Sequence, residues 1–429
     1  MEPKFAQLTQ WLATSRQALL LIWALYLVPR ALLILLQVKP WSDAAYYYDR
    51  AGELARGLGY LTPEGQPTAF WPPGWPMALS AAFRAFGQSL AVTGLFNLVC
   101  AAISAALVLA LGRRIAGSGL AARLALLLLA LYPNNAAYVP LALTEVFYTM
   151  LLLALCWLLV AVRGWTGLVG AGLLLGIATL VKAQSLAVVP LVLVIAVLRA
   201  PKFWPAVRLN LGKGVLLAAL AAAVVAPWSL RNERVFGRII AVSTNGGMTL
   251  MTGNNASADG GYVDSDPAYK ALFAQRKTLG ELAFDAETKR QGLYWIAANP
   301  GRFIQLMPSK FFKLWGPDGE AAWNYEQGAP SWAAHQPLYT AARWANQLWY
   351  GLLLGAAGAA FIGQLRRHWQ SAQRWDWWLL PYGIALYPTA ICLVFSGQSR
   401  FHYPAMPFLA ISAAWLLADW LTRRRAAAG

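Results

Sequence analysis

Apolar runs of roughly 20 residues recur along this sequence, and they constrain the fold more than any other feature. They lie at about 17–38, 90–112, 120–138, 144–162, 165–181, 184–199, 212–230, 343–365, 376–395 and 404–422. A helix of about 20 apolar residues spans the hydrocarbon core of a bilayer, and a helix satisfies its own backbone hydrogen bonds there. The sequence therefore predicts an all-α polytopic membrane protein with about ten transmembrane helices.

The distribution of charge supports this class and excludes another. Only 12% of the residues are charged and the net charge is +17, which in a soluble chain would suggest a nucleic-acid partner. Here the Lys and Arg residues lie mainly between apolar runs, for example Arg113, Arg114 and Arg208, as the positive-inside rule expects. We therefore expect membrane lipids and no nucleic acid as partners, with both termini in the cytoplasm.

Two long polar segments, 39–89 and 231–342, would lie on the external side. We divide the chain into an N-terminal transmembrane catalytic module (1–230), an external loop region (231–342) and C-terminal transmembrane helices (343–429). Within these segments, amphipathic helices are predicted at 43–58 and 303–315, a further helix at 281–299 and a turn-rich stretch at 243–261. Any catalysis would then face the external, periplasmic side, where no nucleotide sugar or ATP is available.

Asp43 is the first candidate catalytic residue. It follows the first apolar run directly and lies near several aromatic residues. A carboxylate at the membrane surface in an aromatic-walled pocket can accept a proton from a hydroxyl group. The alternative is that Ser42 or Asp43 simply caps the helix that follows.

Glu145 and Lys182 are candidates at the ends of two apolar runs. Glu145 begins one predicted span, where the helix dipole favours an anion, and ionisable residues in such positions are often functional. Lys182 ends another span near the same face. We interpret Glu145 as catalytic and Lys182 as substrate-binding, with a solvated helix start as the alternative for Glu145.

Three further residues are candidates for substrate binding beside the membrane. Arg231 follows a helix end, and Arg400 and His402 lie in the short hairpin between the last two spans. Guanidinium groups suit phosphate. His402 is interpreted as a hydrogen-bond donor, a weak metal ligand or a structural residue.

Aromatic residues of the external segments provide candidate surfaces for a sugar ring. Tyr47 and Trp71 are assigned to substrate binding, and Trp75, Trp315 and Trp323 are further rings that suit stacking. Each has packing as its alternative role.

Cysteine and histidine spacing shows no clear metal-ligand cluster. Cys100, Cys156 and Cys392 all lie within apolar runs, where they are typical core residues. We expect no cofactor except a divalent cation, which would be weakly held.

Taken together, these motifs resemble the bacterial membrane glycosyltransferases of the GT-C class. They are most similar to family 39, the protein O-mannosyltransferase-like family, to which the lipid A aminoarabinose transferases are related. The matching residues are Asp43 with Tyr47; Gly57–Tyr60; Trp71–Gly74; Leu143–Glu145; Ala226–Asn232; Ser243–Gly247 with Gly253–Asn255; Asn299–Pro300; and Ser399–Pro404.

The resemblance implies a sugar donor carried on polyprenyl phosphate, and it implies that Asp43 is the base of the first external loop. The sequence departs from the family in one respect: many relatives have paired acidic residues at this position, whereas here Ala44 follows Asp43.

These inferences combine into a predicted inverting glycosyl transfer to an acceptor hydroxyl at the external face. Asp43 would accept the hydroxyl proton, and Lys182, Arg231 and Arg400 would stabilise the phosphate leaving group. Glu145 would orient the acceptor, which is a lipid, a glycan or a protein, or hold a cation. The alternatives are a transporter or flippase for lipid-linked saccharides and a membrane assembly subunit.

Overall fold

The computed structural model describes residues 2–371 and 375–427. Its α-helices, labelled in chain order, are α1 (Glu2–Thr14), α2 (Arg16–Ile34), α3 (Asp43–Ala55), α4 (Gly74–Phe86), α5 (Leu90–Ala116), α6 (Gly119–Ala130), α7 (Pro133–Ala137), α8 (Glu145–Ala161), α9 (Gly164–Val181), α10 (Val188–Arg199), α11 (Phe203–Phe236), α12 (Gly246–Gly253), α13 (Pro267–Ala274), α14 (Arg276–Leu279), α15 (Glu281–Ala298), α16 (Pro300–Trp315), α17 (Glu320–Gly328), α18 (Gln336–Ser371), α19 (Leu380–Val394) and α20 (Met406–Ala427). Short 3₁₀ helices occupy Ala183–Ala187, Trp377–Leu379 and Ser399–Ala405.

Seven helical segments of the described chain are long and apolar enough to cross a membrane. Three shorter apolar helical segments, Gly119–Ala130, Glu145–Ala161 and Ala183–Arg199, coincide with the remaining predicted spans. The predicted fold class, an all-α polytopic membrane bundle, is confirmed.

The helices pack around one apolar core to which most of the long helices contribute. Helix α5 packs on α6 and α8, α9 packs on α11, and α20 packs on α6 and α18. Small residues permit the close approach of α9 to α11: a Cβ atom at Gly172 would lie 2.7 Å from Leu220, and one at Gly176 would lie 2.5 Å from Val224. Such small residues at helix contacts are typical of membrane bundles.

Arg30 is a charged residue buried inside α2, among apolar neighbours. Its guanidinium donates to the carbonyl oxygens of Tyr26 and Leu129 and to the side-chain oxygen of Asn135, at 2.5, 3.1 and 2.5 Å. It also lies 3.6 Å from the centre of the Tyr26 ring. These contacts tie α2 to the end of α6 and to α7, and they offset part of the cost of burying the charge.

The helices of the two long polar segments, 39–89 and 231–342, agree with the predicted ones, with one exception. Helices α3, α15 and α16 form where they were predicted. The stretch 243–261 was predicted to be turn-rich, which is wrong for Gly246–Gly253, because these residues form α12. Helix α12 packs against α15, where the Gly247 amide donates to Asp285 at 2.7 Å, so tertiary contacts overcome the low helix propensity of glycine.

Lys310 joins three of these elements from a fully buried position on α16. Its ammonium donates to the side-chain oxygen of Asn254 at 2.7 Å and to the carbonyl oxygens of Leu393 and Val394 at 3.3 and 3.2 Å. Burial lowers the pKa of Lys310 to about 8, because the charged form loses its hydration.

We expect Lys310 to make stability depend on pH in the alkaline range. Between pH 8 and 10.5 the folded protein has lost a proton that the unfolded chain still binds, so this group increases the unfolding free energy as pH rises. Relative to Lys310→Met, the wild type should gain about 1 kcal/mol per pH unit there. Chemical unfolding in detergent at several pH values measures the difference.

Lys313→Met is the matched control, because Lys313 lies on the same helix but is partly exposed and paired with Asp259 at 2.5 Å. This variant should keep the wild-type slope. A Lys310→Met protein with that same slope would contradict the assignment.

Candidate active site

Asp43 is the first residue of α3, and its side chain forms an ion pair with Arg400. The carboxylate oxygen Oδ2 lies 2.6 Å from a terminal nitrogen of the guanidinium. Ser42 precedes it with φ +51°, a strained value for a non-glycine residue, and makes no side-chain capping bond. The Asp43 carboxylate therefore contacts a residue far away in the sequence, and helix capping is not needed to explain the presence of this side chain.

Glu320 is a second carboxylate on the same arginine. It begins α17 and accepts the backbone N–H of Arg400 at 3.1 Å, while its other oxygen lies 3.4 Å from Nε of that residue. Glu320 was not among the predicted site residues. It is one acidic residue among several in the long polar segment 231–342, and no local motif marks it. Only the tertiary structure brings it to Asp43.

These residues line a small cleft, which we call the Asp43 cleft. It lies where the start of α3, the start of α17 and the 3₁₀ helix Ser399–Ala405 meet. Its lining consists of Trp41, Ser42, Asp43, Tyr138, Leu143, Glu320, Trp323, Asn324 and Arg400.

Glu145 and Lys182 form a second ion pair next to this cleft. Glu145, at the start of α8, is 2% exposed, and its carboxylate lies 3.0 Å from the Lys182 ammonium at the end of α9. That ammonium lies 5.3 Å from the ring centre of Phe401, the neighbour of Arg400. The sequence predicted only that both groups lie near the same membrane face, and the structure brings them into contact.

Tyr47 and Trp71 pack beside the cleft on the α3 side. The Tyr47 and Trp71 rings lie 6.2 Å apart. Burial, together with the charge of Asp43, raises the pKa of Tyr47 well above its usual value, so this phenol stays protonated. Neither ring belongs to the lining of the cleft, and both support its wall.

The tryptophan rings that were predicted to suit stacking on a sugar differ in how deeply they are buried. Trp75 is completely buried and its indole donates to the carbonyl oxygen of Ala142 at 3.0 Å. The Trp315 indole donates to Thr389 at 2.8 Å. Trp75 is therefore a core residue and half-buried Trp315 packs against the core, whereas Trp323 lines the cleft and is 44% exposed.

Arg231 lies away from the lining of the Asp43 cleft. Its guanidinium donates to the carbonyl oxygens of Tyr60 and Thr68 at 3.1 and 2.8 Å and to Asn232 at 3.0 Å. Three of the five guanidinium N–H donors are therefore used within the protein, and two of them hold the backbone of the segment 39–89, while the phosphate contact of Arg231 stays a prediction.

His402 is completely buried, with both ring nitrogens in contact with acceptors. It does not line the cleft, so a direct contact with substrate, as predicted, has no access in this structure. Among the described residues, no group of three or more His, Cys, Asp or Glu side chains is arranged to hold a metal ion.

The charges near the cleft do not balance. Three carboxylates (Asp43, Glu145 and Glu320) face two cations (Arg400 and Lys182). Each cation already has an anionic partner, so an incoming phosphate must compete with a carboxylate for its contacts.

Comparisons with known proteins support the class that the fold suggests. A family model described as dolichyl-phosphate-mannose-protein mannosyltransferase matches residues 71–230. A search of curated proteins with the sequence finds no match.

Solved structures share the fold at low sequence identity. An Archaeoglobus fulgidus oligosaccharyltransferase tethered to an acceptor peptide with the NVT sequon covers 96% of this chain, with 14% identity and a TM-score of 0.52. The oligosaccharyltransferase AglB from the same organism, in complex with an inhibitory peptide and a dolichol-phosphate, covers 93% with the same identity and TM-score. The alignments include only 50% of those two chains.

ArnT from Cupriavidus metallidurans, bound to undecaprenyl phosphate, is also similar, over 95% of this chain and 78% of its own, with 14% identity and a TM-score of 0.45. The family match and the oligosaccharyltransferase fold confirm the resemblance to the GT-C class of membrane glycosyltransferases.

The contacts of Arg231 generate a testable prediction. Because its guanidinium holds the carbonyl groups of Tyr60 and Thr68, Arg231→Ala should loosen the segment between them. Amide hydrogen exchange of residues 60–69, followed by mass spectrometry, should become faster. Arg234→Ala, a change at an exposed position on the same helix, is the matched control and should leave this exchange unchanged.

A different result would support the predicted contact of Arg231 with the donor phosphate. If Arg231→Ala leaves exchange at 60–69 unchanged but weakens the binding of undecaprenyl phosphate, the side chain contacts the donor and not the loop.

Proposed function

We propose that this protein transfers a sugar from a polyprenyl-phosphate-linked donor to an acceptor hydroxyl at the external face of the membrane, with inversion at the anomeric carbon. The observation that carries the proposal is the Asp43–Arg400 pair at the edge of an accessible cleft. It combines a carboxylate that can accept a proton with a cation that suits phosphate. The matching family, described by dolichyl-phosphate-mannose, and the AglB complex with a dolichol-phosphate support this type of donor.

The chemistry requires one base and a site for an anion. Asp43 accepts the proton of the acceptor hydroxyl, whose oxygen forms a bond to the anomeric carbon. The bond from that carbon to the phosphate oxygen breaks, and its electron pair leaves with the lipid phosphate. The leaving group is already an anion, so cations are needed and a general acid is not.

Arg400 links the two halves of this reaction. Its guanidinium lies 2.6 Å from the Asp43 carboxylate. When the donor phosphate binds Arg400, it competes with Asp43 for the same nitrogen atoms. Donor binding thereby frees the base, while Glu320 keeps hold of Arg400 through its backbone N–H and Nε.

Lys182 is the second cation that we assign to the phosphate, and Glu145 orients it through their 3.0 Å contact. The charge pattern of the sequence favours an external cleft with cytoplasmic termini in a bacterial inner membrane. The acceptor is a lipid, a glycan or a protein. A divalent cation, if the reaction uses one, would add to the positive charge near Asp43, Glu145 and Glu320.

Replacing the base tests the proposal. Asp43→Asn should lower the rate of transfer by about 10³-fold, a typical contribution of a general base, with little change in thermal stability. The assay incubates purified protein in nanodiscs with a panel of undecaprenyl-phosphate-linked hexoses and pentoses and with an envelope extract, and it follows release of undecaprenyl phosphate.

Asp49→Asn is the matched control, since Asp49 is an exposed carboxylate on the same helix. This variant should transfer at the wild-type rate. Substantial transfer by Asp43→Asn would overturn the assignment of the base. Protein-dependent movement of the lipid-linked sugar across vesicles without any transfer would favour the flippase alternative.

A further inference from the structure

Asp318 is a buried carboxylate for which every acceptor position has a donor. The Tyr132 hydroxyl and the Asn346 amide donate to Oδ2 at 2.5 and 3.0 Å. The Asn134 amide donates to Oδ1 at 2.5 Å, and His402 Nε2 lies 3.1 Å from the same oxygen. Burial acts to raise the pKa of Asp318, but the hydrogen bonds and the charge of His402 outweigh it and hold this pKa below its usual range.

His402 meets an acceptor on each side of its ring. Nδ1 lies 2.6 Å from the carbonyl oxygen of Leu314. Nε2 lies 3.1 Å from the Asp318 carboxylate. The ring lies between Trp315 and Tyr350, with centroids at 5.3 and 5.0 Å and planes within 13° and 16° of parallel, so it is held on both faces as well as at both nitrogen atoms.

The two partners lie two residues from the two charged groups of the cleft. Asp318 is followed by Gly319 and Glu320, and Arg400 is followed by Phe401 and His402. Gly319 has φ +138°, a value that residues with a side chain rarely adopt, so it turns the chain between an inward Asp318 and an outward Glu320. The buried contact of 3.1 Å and the cleft contact of 3.4 Å join the same two segments.

We infer that Asp318 and His402 form a buried hydrogen-bonded pair that positions Glu320 and Arg400 in the Asp43 cleft. Neither residue touches the cleft, so both are positioning residues. A buried pair with full hydrogen bonding specifies one arrangement of the segments that carry it. The effect of this pair on sugar transfer rests on the proposed function, but its hold on Arg400 does not.

The hold on Arg400 is tested by chemical modification with phenylglyoxal, which reacts with accessible guanidinium groups, quantified by peptide mass spectrometry. Asp318→Asn should accelerate the modification of Arg400 several-fold. Tyr132→Phe, which removes one donor and keeps the carboxylate, should produce a smaller increase and serves if Asp318→Asn does not fold.

Asp376→Asn is the control for the loss of a carboxylate from an ion pair elsewhere, since Asp376 pairs with Arg199 at 2.5 Å. It should leave the modification of Arg400 unchanged. An unchanged rate in both Asp318→Asn and Tyr132→Phe would refute the positioning role.

The consequence for transfer is tested by a double-mutant cycle. Asp318→Asn should slow transfer by about 100-fold, because a displacement near 1 Å of a reacting group has an effect of this size. If Asp318 acts through Glu320, adding Glu320→Gln should have a smaller effect in this background than in the wild type. Independent, multiplying effects would contradict the inference, whereas absence of transfer by the wild type would contradict the proposed function alone.

Discussion

One guanidinium group joins segments that lie far apart in the sequence. Arg400 pairs with Asp43, a residue 357 positions earlier in the sequence, and with Glu320 from the external region. The Asp43 and Arg400 side chains are each about one-fifth exposed, so screening by water limits what their ion pair adds to stability. Its importance is geometric, because the loops that form the cleft all meet at this one side chain.

The membrane bundle explains why the cleft lies where it does. Long apolar helices leave their polar groups at their ends, and the ends of α8 and α9 bring Glu145 and Lys182 together. The external segments must then pack on those ends, and they do so through α3, α17 and the 3₁₀ helix Ser399–Ala405. Buried hydrogen bonds such as those of Arg30 and Lys310 hold neighbouring segments of the fold together.

The charged cleft therefore forms where helices end. The contacts Glu320–Arg400 and Asp318–His402 join the same two segments beside it.

Local patterns predicted elements well and contacts poorly. Helices α3 and α16 follow from amphipathic spacing, whereas α12 does not, because its glycines become helical only against α15. Three tryptophans of the long polar segments were predicted alike to suit stacking, yet Trp75 is a core residue, Trp315 is half-buried against the core and Trp323 lines the cleft. No sequence motif marks Glu320, and its place in the site follows from its contact with Arg400, 80 positions away.

The sequence by itself determined the class of fold, since runs of about 20 apolar residues with basic loops admit little other than a helical membrane bundle. It also selected Asp43, Glu145, Lys182 and Arg400, because charged residues beside apolar spans are costly and therefore conspicuous. Only the tertiary structure decided their partners. It turned Arg231 toward the backbone of the first external segment, buried His402 against Asp318, and placed Glu320 opposite Asp43. The physical reason is that composition and periodicity are local properties, whereas an ion pair depends on where two distant segments meet.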